Sequence, residues 1–130
     1  MDLGPTKLGL LIMSLAKGYE SEQYAREYLI LQGLKWIESN YRSRMGEIDL
    51  IMRDKDSLVF VEVRSRSSAS FGGAISSITN SKKQKLLKTA SLYLLAKKLY
   101  DKEIVRFDVL SLEGTPPKIN WIKNAFGVDY

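Results

Sequence analysis

Apolar positions recur at helical spacing over residues 19 to 32, "YESEQYAREYLILQ", where Tyr24, Ala25, Tyr28 and Leu29 share one side and Gly33 supplies a stop. Alternation then takes over. "LKWIESNYR" (34 to 42), "EIDLIMR" (47 to 53) and "LVFVEVR" (58 to 64) read as strands, bounded by a Ser/Gly-rich stretch "SRSSASFGG" at 65 to 73. Helical spacing returns over 81 to 99, with Leu86, Leu87, Ala90, Tyr93, Leu94 and Leu99 on the apolar side and Asn80 or Ser81 as the expected N-cap. "IVRFDVLSL" (104 to 112) is a strand, and "KINWIKNAF" (118 to 126) supplies an edge strand after the Pro116-Pro117 break. The order α-β-β-β-α-β(-β) predicts an α/β fold, a mixed β-sheet with flanking helices.

No internal repeat, heptad run or long linker interrupts the 130 residues, so 18–130 reads as a single domain preceded by an N-terminal extension, 1–17. Within that extension "LGLLIMSLA" (8 to 16) is about half the roughly 20 residues a bilayer span needs and ends without a small-x-small cleavage pattern. The expectation is a cytoplasmic protein with no membrane partner.

The segment from 45 to 66, "MGEIDLIMRDKDSLVFVEVRSR", places charge where a sheet interior favours Val or Ile. A turn centred between Lys55 and Asp56 predicts antiparallel partners whose numbers sum to 111. One face then stacks Ile48 on Val63, Leu50 on Val61 and Met52 on Val59. The other pairs Ile51 with Phe60, Asp49 with Glu62 and Glu47 with Arg64. Opposed side chains have Cβ atoms about 4.5–5.5 Å apart, where like charges destabilise, so Asp49 facing Glu62 calls for a cation. A divalent ion meets that need, and so does Arg64 or a nearby lysine in a structural ion-pair network. Glu22 precedes Ala25 by three and Leu29 by seven, which sets it at the border of the apolar stripe and within reach of the same end of the sheet.

Composition narrows the chemistry. The chain has no cysteine and no histidine, which removes disulfides, thiolate and imidazole metal sites and the usual general base. Any metal must sit on oxygen, which suits Mg²⁺ or Mn²⁺. The formal charge of +5 is concentrated: Arg64 to Lys98 holds +8 without one acidic residue, leaving −3 elsewhere. A polyanion is the natural partner of such a block, although a solvated lysine-rich helix face gives the same count. Lys82, Lys83 and Lys85 stand in the first turns of the second helix, where the helix dipole disfavours cations and free N–H groups favour anions. Trp36 and Trp121 fall in strand patterns and are expected in the core or on the sheet surface rather than as base-stacking platforms.

"GEIDLI" followed by "VFVEVRSR", with "KGYESEQYAREYL" upstream and "FGGAISSITNSKKQKLL" then "RFDVLSL" downstream, resembles the YraN family of small bacterial proteins over about residues 18 to 126. The resemblance implies a Holliday-junction-resolvase-like version of the PD-(D/E)XK nuclease fold, that is, a restriction-endonuclease-like sheet. Carried over, the motif's aspartate is Asp49, the acidic residue of (D/E)XK is Glu62, and the helix glutamate is Glu22. The lysine position falls on Arg64. Arginine stays protonated and cannot act as a base, though it can orient a water or stabilise charge on a phosphate.

The resemblance thus implies a divalent-metal-dependent endonuclease of DNA, with branched DNA as a candidate substrate. Asp49, Glu62 and Glu22 would hold Mg²⁺ or Mn²⁺, and Arg64 completes the catalytic set. Glu47, paired to Arg64, stands behind the ligands. Arg66, Lys82, Lys83, Gln84 and Lys85 are the expected nucleic-acid contacts, DNA before RNA. Resolvase folds act on symmetry-related strands, so a homodimer is the expected assembly. The alternative is a nucleic-acid-binding protein of the same fold whose chemistry is impaired at Arg64, and a third reading is a structural domain with an ion-pair network.

Overall fold

A computed structural model describes residues 19–66, 78–114 and 117–127. The N-terminal extension, most of the Ser/Gly-rich segment with Phe71, Gly72 and Gly73, and Pro116 lie outside the described residues. The elements are α1 (Tyr19–Leu31), β1 (Lys35–Ser43), β2 (Gly46–Asp54), β3 (Ser57–Arg66), α2 (Asn80–Ala96), β4 (Ile104–Glu113) and β5 (Lys118–Phe126). One five-stranded sheet runs in the order β1-β2-β3-β4-β5. Every neighbour is antiparallel except β3 and β4, which run parallel and are joined through α2. Parallel neighbours need a crossover long enough to return the chain, and α2 supplies it. The expected α-β-β-β-α-β-β order and mixed sheet are what the chain adopts.

The helices cover opposite faces. Tyr24, Ala25 and Leu29 of α1 pack on Leu50, Met52, Val59, Val61, Leu110 and Leu112. Leu86, Ala90 and Tyr93 of α2 pack on Ile48, Ile51, Leu58, Phe60 and Phe107. Truncating any of the fully buried leucines would cost about 2–5 kcal/mol, because an interior packed to this degree cannot collapse around the gap.

Both helices end in the same way. At the end of α1, Gly33 takes φ +100° while the Leu34 N–H donates to Leu29 O (3.1 Å) and the Gly33 N–H to Ile30 O (3.0 Å). At the end of α2, Lys98 takes φ +59° while the Leu99 N–H donates to Leu94 O (2.8 Å) and the Lys98 N–H to Leu95 O (3.1 Å). These are Schellman closures. The second one corrects the expected helix end: α2 stops at Ala96, and Leu99 reaches the apolar cluster from beyond the helix. The expected N-cap is corrected too. Thr79, with extended backbone, caps α2, its hydroxyl accepting from the Lys82 N–H at 3.1 Å.

Fully buried Asp108 on β4 is satisfied by Arg106 (2.9 and 3.0 Å), the Trp121 indole N–H (2.9 Å) and the Asn124 N–H (2.9 Å). Arg106 also reaches Asp54 at 3.0 Å. The group locks β5 and the end of β2 to β4, with every lone pair accounted for as a buried carboxylate requires.

Candidate active site

The hairpin follows the expected register at its turn end, where Leu50↔Val61, Ile51↔Phe60, Met52↔Val59, Arg53↔Leu58 and Asp54↔Ser57 are all partners. Toward the charged end it changes. Ile48 and Leu50, two residues apart, should share a face, yet Leu50 packs under α1 and Ile48 under α2. The strand therefore switches faces at Asp49. The adjoining position on β1 compensates: Asn40 takes φ +54°, between the pairs Ser39↔Leu50 and Tyr41↔Ile48. The predicted stacking of Ile48 on Val63 is lost, because the Val63 N–H donates to Asp49 Oδ2 at 2.8 Å instead. Asp49 thus sits, half-buried, in the seam between two strands.

Four acidic side chains converge on that seam from three elements. Glu22 leans over from the first turns of α1, held by the packing of Ala25 and Leu29. Its oxygen, one from Asp49 and one from Glu47 all lie within 4.8 Å of one another. Glu62 lines the same cleft as Asp49 and is 4 % exposed. Its Oε2 meets Lys82 Nζ at 2.9 Å and Arg64 Nη1 at 3.5 Å. Arg42, not Arg64, pairs with Glu47 (3.4 Å), since β1 places it directly across the ladder. That corrects the expected Glu47–Arg64 pair.

Burial raises the Asp49 pKa to about 9, reinforced by the charges of Glu62 and Glu22 and opposed by the Val63 N–H. Burial likewise raises Glu22, against hydrogen bonds from Asp49 and Asn40 that pull it down. The carboxylates repel one another at a place the fold nonetheless makes for them. Two oxygens on one Mg²⁺ at about 2.1 Å can stand at most about 4.2 Å apart, so a small rotation of one carboxylate brings Glu22, Asp49 and Glu47 into range. An all-oxygen, anionic, partly buried donor set fits a hard divalent cation.

A cleft of about 330 Å³ opens beside these groups, lined by Glu47, Asp49 and Glu62 on the sheet side and by Thr79, Ser81, Lys82 and Lys85 of α2 and its cap. Gly46 lies at its floor, at φ +153°, where a Cβ would meet Thr89 Oγ1 at 3.2 Å. That close approach lets α2 bring its lysines to the carboxylates.

The family model described as "Uncharacterised protein family UPF0102" matches residues 21–112. A UPF0102 protein of Legionella pneumophila (strain Philadelphia 1) is 52% identical over 88% of this chain and 97% of its own length. Another from Colwellia psychrerythraea is 49% identical over 87% of this chain and 90% of its own, and one from Nitrosospira multiformis 49% over 88% and 95%. The chain belongs to the UPF0102 family. The resemblance to YraN proteins is borne out by these matches.

In this UPF0102 member the expected site residues are distributed unevenly. Glu22, Asp49 and Glu47 come together, Glu62 and Arg64 adjoin them, and Lys82 and Lys85 face them across the cleft. Lys83 lies instead 5.9 Å over the Phe126 ring of β5. Gln84 is exposed on α2, and Arg66 stands at the end of β3 opposite Glu113. Among residues not singled out from the sequence, Asn40 binds Glu22 and turns β1, while Arg42 holds Glu47. An asparagine inside a strand pattern was the available signal, because Asn is depleted in strands and tolerates positive φ. Among the described residues no helix is long and apolar enough to cross a membrane.

Proposed function

We propose that this UPF0102 protein is a divalent-metal-dependent endonuclease that hydrolyses phosphodiester bonds in DNA, branched DNA included, on a PD-(D/E)XK-type fold. The observation that carries the reading is a cleft with Glu47, Asp49 and Glu62 on one wall and Lys82 and Lys85 on the other, with Glu22 meeting Glu47 and Asp49 from behind. Anionic groups for a cation and cationic groups for a polyanion then line one cleft, bridged at one point by Lys82 Nζ on Glu62 Oε2 at 2.9 Å. Mg²⁺ or Mn²⁺ held by Asp49 with Glu22, Glu47 or Glu62 would supply Lewis-acid activation of the phosphate and of a water. The chain's own residues do the rest. Lys82 and Lys85 draw the phosphates in and offset their charge. The Arg64 guanidinium stabilises charge that develops on the phosphoryl oxygens. Glu62 turns Oε2 to Lys82 and Arg64 and shares a side-chain hydrogen bond with Asp49.

Arg64 at the motif's lysine position also supports a second reading, a nucleic-acid-binding protein of this fold without efficient cleavage. One experiment separates the two. Branched and linear DNA are incubated with the protein in Mg²⁺ or Mn²⁺ beside Asp49→Asn and Glu62→Gln. Metal-dependent cutting that either substitution lowers at least about 100-fold supports the enzyme. Salt-sensitive binding without cutting selects the second reading, and equal traces of cutting in all samples would sink the first.

A further inference from the structure

A second cleft, of about 260 Å³, lies on the α1 side of the sheet and is lined by Glu22, Gln23, Arg26, Trp36, Ser39 and Asn40. Trp36 is opposite Met52 and so shares the α1 face, immediately before an irregularity in the ladder between Trp36 and Glu38. Such bulges re-aim the side chains beside them. The indole is 46% exposed, yet it is held in place: its N–H donates to Ser39 Oγ at 2.9 Å and the Arg26 guanidinium lies 4.5 Å over the ring. An exposed tryptophan fixed at both edge and face is costly to leave in water, since burial of a ring this size is a large stabilising resource left unused.

Glu22 joins the two clefts. It lines this one, and its carboxylate meets Asp49 and Glu47, which line the other. Trp36 therefore lines a cleft that begins at the carboxylate cluster. The space is below the range typical of drug-sized ligands and suits a single planar group. Its wall combines a stacking ring, a guanidinium plane and the amides of Gln23 and Asn40, the set that reads an extruded base.

Resting on the nuclease reading above, we infer that the α1-side cleft binds one unpaired nucleobase next to the scissile phosphate, stacked against the Trp36–Arg26 pair. In a continuous duplex every base is already stacked and cannot enter. The site thereby favours nucleic acid with unpaired nucleotides, at junctions, flaps or tails, over blunt duplex.

The test uses the full chain carrying Asp49→Asn, which removes cutting under the nuclease reading. Fluorescein-labelled duplexes of one sequence, blunt or with a single-stranded thymidine tail, are titrated by anisotropy, and tryptophan emission is followed alongside. Stacking of one base is worth about 1–3 kcal/mol, so Trp36→Ala should weaken binding of the tailed DNA by about 5- to 150-fold and leave the blunt duplex unchanged. Trp36→Phe keeps a ring and should retain most of the affinity. Tailed DNA should quench emission in the parent chain. If tailed and blunt DNA both bind, and Trp36→Ala changes neither, the base site is wrong while the nucleic-acid reading stands. If neither DNA binds the parent chain, both fall together.

Discussion

A carboxyl group that stays protonated well above the neutral range is one that folding tolerates rather than exploits, and Asp49 is such a group. Its pKa of 3.8 in open chain becomes about 9 in the fold, through burial first and then the charges of Glu62 and Glu22. Between those values the native state holds a proton that unfolding releases. Stability from this group is therefore complete below about pH 4 and is lost as the pH climbs toward 9. Asp49→Asn keeps an oxygen for the Val63 N–H and removes the charge. At pH 8 it should be more stable than wild type by about 1–3 kcal/mol, seen as a melting temperature roughly 4–12 °C higher, with a flatter pH dependence from 5 to 9. Added Mg²⁺ should raise the wild-type melting temperature at pH 8 and leave that of Asp49→Asn nearly unmoved. A wild-type protein that melts higher at pH 8 than at pH 5 would contradict the assignment. The acidic cluster was legible in the sequence because Asp49 and Glu62 fall at the same end of one hairpin, although the ladder stops at Leu50↔Val61 and does not pair them directly. The seam that buries Asp49 was not, since it depends on a face switch that the alternation of "EIDLI" gives no sign of.

At the scale of elements, periodicity located each helix and strand to within a few residues because apolar spacing differs so plainly between period 2 and period 3.6. Ends were less legible, and the start of α2 shows why. Thr79, Asn80 and Ser81 are three consecutive residues of good capping type, and residue preference alone cannot rank them. The structure decides by geometry: Thr79 has φ −68° and ψ 158°, the extended conformation that turns its hydroxyl onto the Lys82 N–H. Asn80 and Ser81 already lie at or inside the first turn. Thr79→Ala should cost about 1 kcal/mol in the urea midpoint, whereas Asn80→Ala should change it by less than about 0.5 kcal/mol. Equal losses at the two positions would return the cap to Asn80. The far end of α2 was missed for a related reason. Glycine marks the stop of α1, but at the close of α2 a lysine, Lys98, takes the left-handed conformation and bears its steric cost.

Over the whole molecule, the concentration of +8 between Arg64 and Lys98 was visible in the sequence, but its use depends on which way each lysine faces. Among the described residues, α2 and its C-cap split their basic side chains. Lys82 and Lys85 join the cleft wall, while Lys83 lies over Phe126 and Lys97 over Tyr93, 5.8 Å from the ring. Sequence spacing could not separate these roles, because neighbours on a helix point about 100° apart and the sheet's orientation decides which of them meets the carboxylates. Counterion release turns the split into a measurement. Each lysine neutralising a duplex phosphate contributes about 0.9 to the slope of log affinity against log salt. Lys85→Ala should therefore flatten the slope by roughly that amount, and Lys83→Ala should leave it close to wild type. Lys82→Ala should do two things at once. Under the nuclease reading it would remove a phosphate contact, and it takes the nearer of two cations from Glu62, a carboxylate only 4 % exposed, so the melting temperature should fall as well. Matching slopes for Lys83→Ala and Lys85→Ala would mean that the basic block acts as a diffuse field around the helix, and the cleft would lose its claim to be where the backbone lies.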